Sequence, residues 1–165
     1  MSTLATVVYD KRHSHPSFGM AKIEVSTIVD RPAEAVWNFV SDPANGPKYD
    51  PDIISAKQTS TGPLGVGATA EANRKKEGKV SFRVAEYDPG RRFTLEVTSP
   101  RAMEGSKESI TLEDIGGRTK VTNAWDLKLA GYYRLMGPFV ARSLRKTAGT
   151  QADNIKRLLE TEVPS

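Results

Sequence analysis

An α+β domain is the fold class this sequence predicts: seven strands in one curved antiparallel sheet around a long C-terminal helix, with one or two short helices after the first strand. Three observations lead there. Apolar and polar residues alternate in seven separate segments. Glycine, proline and aspartate turn signals separate most of them. The last segment switches to helical spacing from Gly137-Pro138 to about Glu160, roughly 34 Å of helix at 1.5 Å per residue.

The elements follow in order. Residues 22–29 set Ile23, Val25, Thr27 and Val29 against Lys22, Glu24 and Ser26, a strand with one apolar face. Asp30-Arg31-Pro32 then opens a helix, with Asp30 as cap candidate and proline in the first turn, where its missing N–H costs nothing. Val36, Phe39 and Val40 give that helix an apolar stripe, with Trp37 alongside. It stops at Asp42-Pro43, and a loop from Ala44 to Asp52 carries Tyr49 between prolines.

From there the period is two. Residues 53–59 are a strand and 61–67 a turn. Ala68, Ala70 and Ala72 share one strand face, as do Val80, Phe82 and Val84 on the next and Phe93, Leu95 and Val97 on the one after. Residues 106–113 bury Ile110 and Leu112. Val121, Asn123, Trp125, Leu127 and Leu129 face one way on the last strand. Asp88-Pro89-Gly90 and Gly116-Gly117 turn the chain back, so these strands make one meander with one wet face.

The chain has 165 residues, of which 38% are hydrophobic, enough for one domain with a sizeable core. Alternation starts just after Met20. Residues 20–160 are therefore expected to be the domain and 161–165 a tail. Residues 1–19 are expected to be an appendage, either disordered or not native because the start was misassigned. There is no cysteine, and both histidines, His13 and His15, lie in that appendage. This excludes disulfides, thiolate nucleophiles, histidine-based triads and histidine or cysteine metal sites from the main body. No metal and no cofactor are expected. The net charge of +4 is compatible with anionic partners but demands none. Basic and aromatic residues do not interleave, so no nucleic acid is expected. No apolar run approaches a membrane span and no signal peptide is visible, making a soluble cytoplasmic protein the expectation.

A sheet curled around a helix must fill the space between them. The facing stripe of the helix reads Val140, Leu144, Thr147, Gln151, Ile155 and Leu158, and its middle, residues 147–152, has no large apolar side chain. Gly149 there costs about 1 kcal/mol of helix stability against alanine. The alanines of the third strand lie opposite. Small residues on both walls either leave an apolar pocket lined by Phe82, Phe93, Trp125 and Phe139, or are compensated by aromatics elsewhere in the core.

The order of these elements is carried by AKIEVSTIVDRPAEAVWNFVSDP, KYDPDI, GPLGVGA and VAEYDPGRRFTLEV ahead of the long helix. It resembles the polyketide cyclase/dehydrase and lipid-transport superfamily, also called SRPBCC or START-like, over roughly residues 20–160. The resemblance implies a helix-grip fold, with a deep cavity for a hydrophobic or amphipathic small molecule such as a lipid or polyketide. Only some members are enzymes. It also implies that Tyr49, where many members carry tryptophan, sits near the cavity mouth. A metal-dependent branch does not fit a body without histidine.

Each candidate site residue has two readings. Asn123 orients a ligand carbonyl or hydroxyl, or is a buried amide satisfied by a neighbour. Glu108 is a carboxylate in an apolar cavity, able to act as general acid or base, or it reaches solvent near a strand end. These two are the only catalytic candidates. Thr147 and Gln151 line the pocket or bond to backbone and water. Trp37 and Trp125 are core or ligand platform. Tyr132 and Tyr133 form part of a gate or lie on the surface. Arg134, Arg142, Arg145, Lys146, Lys156 and Arg157, with Arg74-Lys75-Lys76 and Arg91-Arg92, make either a solvated face or a peripheral contact for an anionic membrane surface or acidic partner.

Three functions compete. The first is non-catalytic binding or transport of a hydrophobic small molecule, which calls for a cavity of at least about 300 Å³. The second is a metal-independent cyclase or dehydratase working on a bound flexible substrate, which calls for two or more polar groups converging in the cavity. The third is an interaction module built on the basic helix. The residues favour the first, because no nucleophile–base pair is visible.

Overall fold

The computed structural model describes residues 20–131 and 135–161. The sequence expectations for residues 1–19, for the 162–165 part of the tail, and for Tyr132, Tyr133 and Arg134 lie outside the described residues. Strand β1 (Met20–Val29) leads into α1 (Ala33–Val40), a 3-10 turn (Pro43–Asn45) and the single turn α2 (Gly46–Tyr49). Six strands follow: β2 (Ile53–Gln58), β3 (Thr69–Arg74), β4 (Gly78–Asp88), β5 (Arg92–Ser99), β6 (Lys107–Asp114) and β7 (Thr119–Lys128). The chain then forms the long helix α3 (Gly137–Thr161).

The sheet is antiparallel throughout, in the order β1-β7-β6-β5-β4-β3-β2. β1 pairs with the last strand, so α1 and α2 carry the chain from one edge of the sheet to the other. Register sets Ile23 opposite Trp125 and Val25 opposite Asn123. Breaks in register at Ser81/Phe82 and Val84/Glu86 interrupt the β4–β5 ladder, and such bulges bend a strand and increase its twist. The turn between β6 and β7 needs Gly116 and Gly117, at φ 76° and 83°, where a side chain would be strained.

Two apolar clusters fill the interior. One gathers Val36, Trp37, Val40 and Tyr49 with Phe93, Ile110, Leu112, Ile155 and Leu158. The other gathers Ile23, Val25, Trp125 and Leu127 around Ala148 and Ala152, with Val140 and Leu144 partly buried beside it. The far end of α3 is fastened to the β1–α1 corner. Glu160 accepts the Asp30 N–H at 2.8 Å, and Lys156 donates to the Ile28 carbonyl at 2.7 Å. Lys156 is thereby occupied in the fold rather than free in a basic face.

Three local expectations need correcting. The 44–52 segment is not all loop: prolines at 43 and 47 pre-set helical φ angles, and it coils into the 3-10 turn and α2. Asp30 does not cap α1; Pro32 holds the cap position with no side-chain hydrogen bond. Gly149 does not open space under the sheet. A Cβ there would meet nothing within 4 Å, whereas Thr147, Ala148, Gln151 and Ala152 are the buried ones.

Two stability changes follow. Ile155 is 1% exposed, so Ile155→Ala should lose about 2–5 kcal/mol in urea denaturation. Gly149→Ala should gain up to about 1 kcal/mol, since only backbone entropy changes. A loss at Gly149 would show that the helix packs there against something.

Candidate functional site

Where the two clusters meet, the core turns polar. Asp50 ends α2 and is 1% exposed; Gln151 on α3 is 3% and Asn123 on β7 is 4% exposed. Gln151 Nε2 donates to Asp50 Oδ2 at 2.7 Å. Asn123 Nδ2 donates to Gln151 Oε1 at 2.9 Å and to Glu108 Oε1 at 3.1 Å. Arg74, at the end of β3, donates from Nη1 to Asp50 Oδ2 at 3.1 Å and from Nε to Glu77. The second Asp50 oxygen accepts the Asp52 N–H at 2.8 Å. Four elements and the α2–β2 corner thus meet on one hydrogen-bonded chain.

This chain floors a cavity of about 80 Å³. Its walls are apolar, from Val40, Ile53, Ala70, Ala72, Phe82, Val84, Phe93, Leu95 and Ile110, and Leu64 and Pro43 also line it. The polar lining comes from Tyr49, Asp50, Arg74, Glu108 and Gln151, with Glu71 and Ser41. The volume is well under the 300 Å³ expected for a ligand site. It has room for two or three waters at about 30 Å³ each. The alanines of β3 do leave room, but the rings of Phe82, Phe93 and Tyr49 take up much of it.

The chemistry of the floor is set by burial. Burial pushes the Glu108 carboxyl above its ordinary range; the Asn123 hydrogen bond and Arg74 work against this, and Asp50 adds to it. Burial likewise raises the Tyr49 hydroxyl, with Glu108 the strongest charge acting on it. For Arg74, burial opposes the charge, but Asp50, Glu108 and Glu77 outweigh it and keep the guanidinium ionised. Among the described residues Glu108 accepts one hydrogen bond, at Oε1; neither its other oxygen nor the Tyr49 hydroxyl has a partner there, and neither is one of the fully enclosed orphan atoms. The fully enclosed polar atom of the floor without a partner among the described residues is Asn123 Oδ1.

The sequence-derived residues divide accordingly. Tyr49, Phe82, Phe93, Glu108 and Gln151 line one cavity, with Asn123 directly behind Glu108 and Gln151. Tyr49 lies inside, 9% exposed against Phe39, rather than at an open mouth. Glu108 lines the cavity and is half-buried. Trp37 packs in the core against Tyr87 and Phe93, at 5.5 and 5.7 Å between ring centroids, and Trp125 belongs to the other cluster. Thr147 points at the α2–β2 corner, donating to Asp52 Oδ2 at 3.0 Å. Phe139 is 69% exposed and rims an open depression outside α3 with Arg142, Ser143, Arg145 and Lys146. It falls one position, about 100°, from the inward Val140.

Asp50 and Arg74 were missed as site residues. Asp50 lies in a segment with no period, and Arg74 reads as one member of a basic run. Their only signal was Tyr49-Asp50-Pro51 among the family-like motifs. Among the described residues, no group of histidine, cysteine or acidic side chains could hold a metal ion, and no helix is long and apolar enough to cross a membrane.

Fold and motif define a helix-grip protein, a curved sheet closed on its C-terminal helix. Residues 20–160 match the family described as polyketide cyclase / dehydrase and lipid transport, and the chain belongs to it. Among curated proteins none matches by sequence. The fold is similar to that of the Zhui aromatase/cyclase from a Streptomyces species, with a TM-score of 0.73, 14% identity, and coverage of 88% of this chain and 97% of that one. It is similar to the protein XoxI from Bacillus cereus, with a TM-score of 0.70, 12% identity, and 86% and 97% coverage. It is also similar to Ara h 8.0201, with a TM-score of 0.65, 17% identity, and 87% and 99% coverage.

The floor makes two predictions. Arg74→Met leaves the Asp50 carboxylate buried without its counterion and should cost about 3 kcal/mol in urea denaturation. Glu108 holds its proton in the folded state above its ordinary value of 4.5. The folded chain therefore binds more protons than the unfolded one just above that pH, and Glu108 subtracts stability as pH rises through the window. Glu108→Gln should gain on the parent as pH rises from acid toward neutral. A difference that does not change with pH contradicts the assignment.

Proposed function

We propose that this protein binds a small amphipathic organic molecule in the cavity between sheet and α3, apolar body against the walls and polar end on the floor. One observation carries the reading: Glu108 and Tyr49 line a largely apolar cavity, and no hydrogen bond among the described residues occupies the second Glu108 oxygen or the Tyr49 hydroxyl. Polar groups that face an apolar cavity gain from a hydrogen-bonding partner, and a ligand's polar end supplies one. Membership of a family described by cyclase, dehydrase and lipid-transport roles supports the same reading.

At about 80 Å³ the cavity is closed to ligands of ordinary size; even benzene occupies an apolar cavity of about 150 Å³. Binding therefore requires the wall to move. The parts best placed to do so are β2, an edge strand paired only with β3, and the exposed 61–67 turn that carries Leu64. These pack over the cavity through side chains rather than through the central ladders of the sheet.

A second reading, turnover of a cyclase or dehydratase kind, is favoured by the convergence of Glu108 and Tyr49. An acid and a hydroxyl of shifted affinity for protons can move a proton to or from a bound carbonyl compound, worth about 10²–10⁴ in rate.

Native mass spectrometry of the full chain with the neutral probe 1-aminoanthracene tests the binding reading. We expect a one-to-one complex that slows amide exchange in 53–67, and at least tenfold weaker binding in Ala72→Trp. Binding that survives Ala72→Trp unchanged, or no complex at saturating probe, refutes it. Incubation with a poly-β-keto thioester, followed for the loss of water in the product, separates turnover from binding.

A further inference from the structure

The charges and hydrogen bonds around the cavity are unequal in a way that selects among ligands. Among the described residues that line the cavity, Asp50, Glu71 and Glu108 are acids and Arg74 is the one cation. Arg74 is committed to Asp50 at 3.1 Å and to Glu77 at 3.3 Å. Glu71 is paired at the rim with Lys79 at 2.7 Å. Among the described residues Glu108 has no ion-pair partner, and its one hydrogen bond there comes from the Asn123 amide. That amide is itself shared with Gln151, whose own amide serves Asp50. What faces an incoming ligand is therefore an unpaired carboxyl oxygen wanting a donor, and the Tyr49 hydroxyl wanting an acceptor.

We infer that the cavity is built for an uncharged ligand carrying a hydroxyl, a phenol, enol or alcohol, which donates to Glu108 and accepts from Tyr49, and that it rejects the isosteric carboxylate. The inference rests on the cavity reading above and deepens it. A hydroxyl is the small group that does both at one atom. A carboxylate only accepts, and it would bring a further negative charge beside Glu108 and Asp50 with the only nearby cation already engaged. A plain hydrocarbon leaves both floor groups without partners. Fatty acids are therefore poor ligands here despite the apolar walls.

Three ligands of one shape test this at neutral pH: 4-ethylphenol, 4-ethylbenzoate and ethylbenzene. Each is titrated into the full chain and followed by NMR at the Gln151 side-chain amide and the Ala70 and Ala72 methyls. The phenol should bind about tenfold tighter than ethylbenzene, as two modest hydrogen bonds imply, and the benzoate weakest of the three. Tyr49→Phe, which keeps the ring packed on Phe39, should remove most of the advantage of the phenol. Glu108→Gln should raise benzoate affinity relative to the parent.

Benzoate binding as tightly as the phenol overturns the selectivity while leaving the cavity reading intact. A phenol preference that both variants leave unchanged overturns the assignment to Glu108 and Tyr49. If none of the three shifts those resonances while the fold is intact, the cavity reading fails and the inference with it.

Discussion

The long helix has to be held against the sheet at its middle, where it offers no large apolar side chain. Thr147, Ala148, Gln151 and Ala152 are what it turns inward there. Apolar burial fastens its two ends, but the centre is fixed by a buried chain of hydrogen bonds running from Asp50 through Gln151 to Asn123 and Glu108. In a poorly polarisable interior such bonds are strong when every member is satisfied and costly when one is lost. That sets the rotation of α3 and the position of the α2 corner together. It also divides the core into the two clusters on either side.

The cavity is a by-product of the same device. A polar chain cannot be packed over by hydrocarbon without stranding its open groups, so space stays beside Glu108 and Tyr49. Arg74 neutralises Asp50, which makes the chain tolerable in the interior. Among the described residues Glu108 has no ion pair of its own, and Arg74 acts on it only through space. One arrangement thus locks the fold and sets the charge of the cavity, and on the proposed reading it also selects the polar end of a ligand. On the proposed binding reading, the small volume of the cavity couples binding to local opening, and the free energy of opening comes off the affinity.

Most of the fold was legible because its signals are periodic. Alternation located all seven strands, and the spacing of Leu144, Thr147, Gln151, Ile155 and Leu158 gave the buried side of α3. The motif order in 20–160 gave the family. The site was legible only in part. Asn123 and Glu108 stand out as polar residues on inward faces, and Gln151 as one on the helix stripe. Asp50 and Arg74 sit where the chain leaves a helix turn and a strand, positions with no period to betray their direction. Phe139 reads as a pocket-lining aromatic in the sequence, but it is the neighbour of the inward Val140 on the helix and stands 69% exposed. The cavity's volume could not be read from composition, because it depends on which rotamers Phe82, Phe93 and Tyr49 take up.

The central claim is that Asp50 and Gln151 act as one unit in clamping α3 to the sheet. A double-mutant cycle in urea denaturation with Asp50→Asn and Gln151→Met measures this most directly. The account predicts a coupling of about 1–3 kcal/mol, as for residues sharing a buried network. Additivity within about 0.5 kcal/mol would contradict it, leaving the helix held by its apolar ends alone.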